Sequence, residues 1–236
     1  MIVSVAIIAK NAEKDIFECL NSAKIMTDDV VVVLDSTSVD KTEQIAKKWG
    51  AKVFEHVFEN FSQQKNLAAS YCRRDWVFSL DADERISKKL ANEILSLNDK
   101  PEISGYLIPR DNYIFGKRIK HSNWGSKDDT HLWLYRKSKG KWVNDVHEEV
   151  VVKGVVAKLA GSKIHFNYSS VTQFMDKLND YTTLEIKSQN PIYDFVRRYV
   201  WHLGFLDGWH GLFLGYLMMV YHLVVWVKLW QKKNIS

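Results

Sequence analysis

Three acids, Asp81, Asp83 and Glu84, follow directly on the apolar run Trp76-Val77-Phe78-Ser79-Leu80. Side chains two apart on an extended segment point the same way, so Asp81 and Asp83 can face one ion. Hard oxygen donors with open coordination positions suit Mg2+ or Mn2+ bridging phosphate oxygens. An isolated Asp-x-Asp is commonly a solvated turn. One delivered by a buried strand, with Asp35 ending another such strand, is a stronger pattern. Neither GxGxxG nor GxxxxGK[ST] occurs in the chain. A nucleotide diphosphate held at this rim therefore needs a metal to neutralise it.

The elements that must position these acids are legible in the first 85 residues. "IVSVAII" and "DVVVVLD" are short β-branched runs, as expected of strands buried on both faces. Between them, Ile16, Phe17 and Leu20 recur at helical spacing. In "SVDKTEQIAKKWGAKV", Asp40 predicts an N-cap, Glu43 its capping-box partner and Gly50 the stop. "KVFEHVF" is a third strand, "SQQKNLAASYCRR" a helix with Ser62 as its expected cap, and "WVFSL" a fourth strand. Alternating strand and helix predicts a parallel sheet with right-handed crossovers. Ligands bind outside the carboxyl ends of such strands, where Asn11, Asp35 and Asp81-Ala82-Asp83 all fall. After Ser87 the pattern weakens: "SKKLANEILSL" is a helix, while "GYLIPRDNYIFGKRI" and "HLWLYRKSKGKWV" read as strands. "TQFMDKLNDYTTLEIKSQN" predicts a helix capped by Thr172 and ended by Pro191.

The hydrophobic fraction of 46% supports a packed core and excludes general disorder. Cys19 and Cys72 form neither a disulfide framework nor a zinc site and read as buried core residues, consistent with a reducing compartment. The apolar N-terminus lacks the basic flank and cleavage site of an export signal and reads as a strand. The net charge of +5 is uneven: from Val196 onward five Lys/Arg face one acid, Asp207. A basic, aromatic-rich tail points to an anionic membrane surface rather than to nucleic acid. Gly208–Val227 is twenty residues without formal charge, just long enough to span a bilayer. His210, His222, three glycines and scattered aromatics favour instead a membrane-surface hairpin or a dimer-forming helix. Helices folded back over the catalytic domain are the remaining alternative.

In order, "VAIIAKN", "VVVVLDSTSVDKT", "FSQQKNLAAS" and "WVFSLDADE" resemble the family 2 inverting glycosyltransferases of the GT-A fold. "GYLIPRDNYIFGKRI", "VHEEV", "KLNDYTT" and "GFLDGWHGL" resemble a short bacterial branch that includes glucosyltransferases of the lipopolysaccharide inner core. The likeness covers nearly the whole chain. It implies a Rossmann-like three-layer α/β sandwich with a mostly parallel sheet over residues 1–190, and a helical membrane-associated segment over 191–236. It further implies a nucleotide-sugar donor, a UDP-sugar by family weight, and Mg2+ or Mn2+. The acceptor would be a saccharide-lipid on the inner leaflet, with the protein peripheral on the cytoplasmic face and a homodimer through the C-terminal helices an open alternative.

Carried over by position, Asp35 would bind base or ribose, Asp81 ribose or metal, and Asp83 the metal. Ala9, Asn11, Lys65 and Asn66 would line the nucleotide pocket. The single displacement of an inverting transfer needs a carboxylate base. Matched to the family's His-Glu motif, that base is Glu148, with Glu149 or Asp145 as substitutes. His165 reads as a core histidine or, by the same likeness, a further metal ligand. Two departures stand out: Thr37 replaces a usual glycine, and Trp133 in "LWLYRK" replaces a usual arginine, leaving Arg136 as the cation there.

The stretch "RDNYIFGKRIKHSNWG" mixes Arg110, Lys117, Arg118, Lys120 and His121 with Tyr113, Phe115 and Trp124. Guanidinium forks hold phosphates and aromatic faces stack on sugars, so it suits a phosphorylated acceptor or the donor diphosphate; a solvated hairpin is the plainer reading. A nucleotidyltransferase would show a Gly- and basic-rich loop after the first strand, which "AIIAKNAEKD" lacks. An Asp-x-Asp phosphatase needs its pair on the first strand. A non-catalytic scaffold would have no need to keep Asp35, Asp81, Asp83 and Glu148 together.

Overall fold

The computed structural model of the protein describes residues 1–145, 147–184 and 187–235. The chain divides into two compact units, Met1–Arg110 with Thr130–His165, and Asp111–Asp129 with Phe166–Ser236. The C-terminal segment therefore shares a unit with a mid-chain loop instead of standing alone from residue 191. Two chain excursions, not one, build that unit.

The first unit opens with β1 (Ser4–Ala9), α1 (Ile16–Lys24), β2 (Val30–Asp35), α2 (Thr42–Trp49), β3 (Lys52–His56), α3 (Phe61–Tyr71) and β4 (Trp76–Asp81). β5 (Glu84–Ile86), α4 (Lys88–Ser96) and β6 (Ile103–Ile114) follow, β6 running on into the second unit, where β7 (Lys117–Arg118) pairs with its end. β8 (Thr130–Arg136), β9 (Gly140–Val143), β10 (Glu149–Val152), β11 (Val155–Lys158) and β12 (Lys163–Tyr168) complete the strands. The main sheet has the order β3-β2-β1-β4-β8-β6-β12-β5, while β9 and β10 form a separate ribbon. β3, β2, β1 and β4 are mutually parallel, and β8 joins β4 antiparallel. β2, apolar up to its terminal Asp35, and the apolar part of β4 are buried along their length, as strands covered on both faces must be. Val5, Ile7, Val31, Val33, Phe78 and Leu80 form the centre of the core.

Local signals were obeyed in part. Gly50 ends α2 at φ +100, a left-handed position that glycine takes without a Cβ penalty. Asp40 accepts from the Thr42 amide at 3.0 Å, but Glu43 pairs with Lys47 and closes no capping box. α3 is capped by Asn60, whose side chain accepts from the Gln63 amide at 2.8 Å, because Ser62 Oγ is turned to the Val143 carbonyl at 2.7 Å. Ser170 caps α5 (Val171–Leu184), two residues earlier than Thr172, by accepting from the Gln173 amide at 3.1 Å. Asp29, fully buried between Ser4, Lys52 and Arg73, anchors the end of the parallel sheet remote from the acids. Burial opposes its ionisation, yet the Ser4, Lys52 and Arg73 donors prevail and bring its pKa to about 2.

The second unit is helical. After α5 come α6 (Pro191–Val196), a π-turn at Arg197–Trp201, a 3-10 turn at Gly204–Asp207 and the long α7 (Trp209–Asn234). Asn190 caps α6, so Pro191 starts a helix in the position where its missing N–H costs nothing. Buried Asp194 ties the turn together, accepting from Arg197 at 2.6 Å and Arg198 at 2.7 Å. α7 is one continuous helix over the stretch expected to form a hairpin or a dimer-forming helix, so the hairpin is not what forms there. Its apolar residues Trp209, Phe213, Tyr216, Leu223, Val227 and Trp230 recur at spacings of three, four or seven and are exposed.

Candidate active site

Strand register decides which acids share a face. In the parallel sheet Asp81 stands beside Ile8, and Ile8 beside Val33. Asp35 lies two residues beyond Val33, so its side chain points to the same face as that of Asp81. The two are separated laterally by two strand spacings and lengthwise by two residues, which sets their Cα atoms roughly 12 Å apart. That span suits the two ends of a nucleoside diphosphate better than a shared ion.

Each acid is held differently. Asp35 faces Lys10 at 2.9 Å, and its Oδ1 accepts from the Thr37 amide and hydroxyl, each at 2.9 Å. Burial would raise its pKa, but the Thr37 donors and Lys10 hold it below the usual carboxylate range. Thr37, the departure from the family pattern, thus fixes the acid's orientation. Asp81 meets Lys65, which reaches over from α3 with Nζ 3.1 Å from Oδ1. The same ammonium stands 3.0 Å from Glu148 Oε1, so one buried lysine joins the strand-end acid to the expected base. Lys65 is only 3% exposed. Burial disfavours its charge, but Asp81 and Glu148 outweigh that and push its pKa up. Asp81 is in turn held ionised against its burial by Lys65 and Lys163.

Behind this pair lies a second one. Glu84 and Lys163 are both 0% exposed and meet at 2.6 Å. Glu84 Oε2 also accepts from the Asp81 amide at 2.8 Å, so the pair fixes the backbone that carries Asp81. Lys163 Nζ lies 3.3 Å from the centroid of the Trp133 ring, with Arg110 and Lys65 at 5.5 and 5.8 Å. Where the family pattern has a cation, this chain has an aromatic face on which cations rest. Burial is the main cause of the lowered Lys163 pKa, with Glu84 and Asp81 opposing it. Glu84 was marked only as the third acid of its cluster, and neither Lys163 nor Trp142, whose ring sits 4.5 Å from Lys65 Nζ, was marked by sequence motif. The available signal was the polar alternation Lys163, His165, Asn167 on the buried face of β12.

Several expected residues stand elsewhere or are committed to other partners. Asn66 gives its amide NH2 to the Trp142 carbonyl and accepts from the Trp142 amide, both at 2.9 Å, so it fastens β9 to α3 instead of facing a nucleotide. Asn11, in the left-handed region at φ 46, accepts from the Val39 amide and clamps the β1 and β2 loops together. Ala9 is buried at the end of β1, where only its backbone could meet a ligand. Arg136 is opposite Trp76, at the start of β4, about 17 Å along the strand from Asp81. It binds Asp75 and Asp99 and stacks on Trp76, so it is no cation of this site. Arg118, His121 and Trp124 belong to the second unit. Among the three candidate bases, Asp145 accepts from Asn60 and Glu149 from Asn144. Only Glu148 meets Lys65.

For a metal, Asp83 Oδ2 and His165 Nε2 lie 3.5 Å apart beside the Asp81 turn, where Asp81 Oδ1 already faces the Lys65 ammonium at 3.1 Å. Among the described residues no three His, Cys, Asp or Glu side chains gather at ligand distance. The donor set fits a cation of the Mg2+ or Mn2+ kind, which takes one or two protein ligands and completes its shell with phosphate and water oxygens. It does not fit a closed structural site.

The strand order and the acids at the strand ends describe a GT-A-type α/β sandwich. A solved structure of Staphylococcus aureus TarS residues 1–349 in complex with UDP superposes with a TM-score of 0.51 at 17% identity, covering 84% of this chain and 66% of that one. The sequence profile of glycosyl transferase family 2 matches residues 4–155. An uncharacterized glycosyltransferase of Rickettsia typhi is 32% identical over 196 residues, 78% of this chain and 67% of that protein. The lipopolysaccharide core biosynthesis glycosyltransferase LpsC of Rhizobium meliloti is 29% identical, over 79% of this chain and 71% of its own length. The chain belongs to glycosyl transferase family 2. It spans about two thirds of the length of the curated relatives it matches.

Proposed function

We propose that the protein transfers a hexose from a nucleotide sugar to a saccharide-lipid acceptor by a single inverting displacement. The observation that carries this is the buried Lys65 bridge between Asp81 at the strand end and Glu148. Asp35, held ionised by Thr37 and Lys10, accepts hydrogen bonds from the base or ribose of the donor. Asp81 takes the ribose, with the diphosphate directed toward Asp83. A divalent cation held by Asp83 and His165 would neutralise charge on the leaving diphosphate. Glu148 accepts the proton of the acceptor hydroxyl as its oxygen bonds to the anomeric carbon and the bond to the diphosphate breaks. Lys65 holds Glu148 Oε1 while dividing its charge between two carboxylates, and Oε2 has no hydrogen bond among the described residues.

A UDP-sugar, glucose by family weight, is supported by the TarS complex with UDP, and a lipopolysaccharide-core acceptor by the name of LpsC. α7 supports a place at a membrane: it has an 18-residue window of mean hydropathy 1.7, of which 22% is buried. The basic tail supports this less than its composition suggests. Arg197 and Arg198 bind Asp194, and Lys228 donates to the Asn179 carbonyl within α5. The test is a panel of nucleotide sugars scored for release of nucleoside diphosphate, with and without Mn2+. The proposal expects hydrolysis of one sugar nucleotide well above the rest; release from none, with the protein folded, contradicts it.

A further inference from the structure

The second unit holds a cavity of about 460 Å³ that the transfer chemistry leaves unused. Its walls are the β7 loop, with Arg118, Lys120 and His121, the following turn, with Lys127 and Asp128, and the π-turn residues Trp201, His202 and Leu203. Cavities of a few hundred cubic ångströms accept ligands of small-molecule size.

The walls are tied to one another. Asp207 accepts from the amides of Lys120 at 3.2 Å and His121 at 2.9 Å, and the Lys117 ammonium donates to its carbonyl at 2.8 Å. The Ser122 amide donates to the His202 carbonyl at 2.9 Å, and Arg198 to the Ser122 carbonyl at 3.2 Å. Ser122, Asn123 and Leu203 all sit at positive φ between 54 and 64, a conformation that costs non-glycine residues energy and persists where surroundings enforce it. Gly204 admits no side chain, since a Cβ there would stand 2.6 Å from Ser122 Oγ.

The lining charge is unbalanced. Arg118 is matched by Asp111 at 2.6 Å, and His202 faces Asp128 at 3.7 Å. Lys120 and Lys127 have no carboxylate partner among the described residues. Two ammoniums without acid partners, beside the remaining donors of the Asp111-bound Arg118 guanidinium and two imidazoles, outnumber the one lining carboxylate, Asp128, and form an anion site; phosphate is the anion that matches lysines beside a guanidinium. The rim is apolar: Trp201 is 59% exposed and Leu203 44%, and Phe205, Leu206 and Trp209 follow directly in sequence, each exposed. A site for free phosphate has no use for such a rim, whereas tryptophan and leucine beside basic residues match the boundary between headgroups and acyl chains.

We infer that this cavity receives the phosphate group of a membrane lipid, Lys120, Lys127 and Arg118 holding the phosphate while Trp201 and Leu203 enter the headgroup layer. The phosphate can belong to an ordinary anionic phospholipid or to a phosphorylated glycolipid. The site is independent of donor chemistry and stands whether or not Glu148 is a catalytic base.

The full chain is sedimented with vesicles of phosphatidylcholine alone, of phosphatidylcholine with phosphatidic acid, and of phosphatidylcholine with a phosphorylated glycolipid. The wild type binds at least one phosphate-monoester vesicle in preference to phosphatidylcholine, and which one identifies the source. Lys120→Gln with Lys127→Gln weakens that binding roughly thirtyfold, from about 1 kcal/mol per lysine. The charge-matched control Lys232→Gln with Lys233→Gln weakens it less. Trp201→Ser weakens vesicle binding but leaves the affinity for inorganic phosphate, read by calorimetry, as it was. Equal weakening by the two lysine pairs reduces the effect to general surface charge and overturns the inference. So does inorganic phosphate binding as tightly as the vesicles, which makes the ligand free phosphate. Melting temperature and nucleoside-diphosphate binding check that each variant folds, and separate failure here from failure of the transferase reading.

Discussion

The two units handle charge in opposite ways. In the first, lysines are buried and matched: Lys163 with Glu84, and Lys65 with Asp81 and Glu148. In the second, Lys120 and Lys127 stand at an open cavity without a carboxylate partner among the described residues, beside exposed tryptophan and leucine. Buried, matched charges hold their groups in one geometry, which is what a proton acceptor and a leaving-group site require. Unmatched charges beside apolar surface are complete only when something else covers them. On the readings proposed above, one unit serves chemistry and the other attachment.

The comparison breaks most visibly at its buried pair. Lys163→Met leaves Glu84 charged without its main partner and is expected to cost about 3–5 kcal/mol in denaturant unfolding. Adding Glu84→Leu should restore part of that loss, because removing both charges relieves the stranded carboxylate. Lys120→Met in the second unit should change stability by less than about 0.5 kcal/mol. Equal effects at the two lysines would dissolve the distinction.

A second test separates chemistry from folding inside the first unit. Glu148→Gln should lower turnover about 10²–10⁴-fold with an unchanged melting temperature. Glu149→Gln and Asp145→Asn should lower it far less, since neither side chain meets Lys65. Steady-state kinetics on the sugar nucleotide identified by hydrolysis would decide.

Smaller effects sharpen the picture. Asp29, with a pKa near 2 against 3.8 for the free side chain, stabilises the fold by roughly 2 kcal/mol at neutral pH. Its pKa is depressed, so this contribution is present above about pH 4 and disappears as the pH falls toward 2. Asp29→Asn should flatten the acid limb of the stability–pH curve without altering donor binding. Thr37→Gly removes one hydroxyl donor from Asp35 and should weaken donor binding by about 1 kcal/mol while raising the acid's pKa, observable by NMR titration.

Much of the first unit could be read directly from the chain because its signals are local. β-branched runs made buried strands, and the rule that ligands lie at strand ends brought Asp35 and Asp81 to one face. Glu148 was found by likeness, and its meeting with Lys65 across 83 residues has no local signature. Nor has the Glu84–Lys163 pair, since a lysine in a β-strand pattern normally reads as solvent-facing. Caps misled where a side chain had a better tertiary partner: Ser62 is drawn to the Val143 carbonyl, leaving Asn60 to cap α3. Arg136 was misplaced because the family likeness, with Trp133 in the usual arginine's place, gives the next cation of that strand but not which end of the sheet it occupies. In the second unit the basic tail read as surface charge, yet Arg197, Arg198 and Lys228 are internal fasteners and the unmatched lysines come from a loop about a hundred residues earlier.

The central claim is that Asp35, Asp81 and Asp83 receive a nucleoside diphosphate with a divalent cation. It is tested most directly by calorimetric titration of UDP into the full chain, with and without Mn2+, in the wild type and in Asp83→Asn. The account predicts binding that Mn2+ strengthens in the wild type and that loses its metal dependence in Asp83→Asn. UDP binding that ignores Mn2+, or a metal dependence that survives Asp83→Asn unchanged, would contradict it.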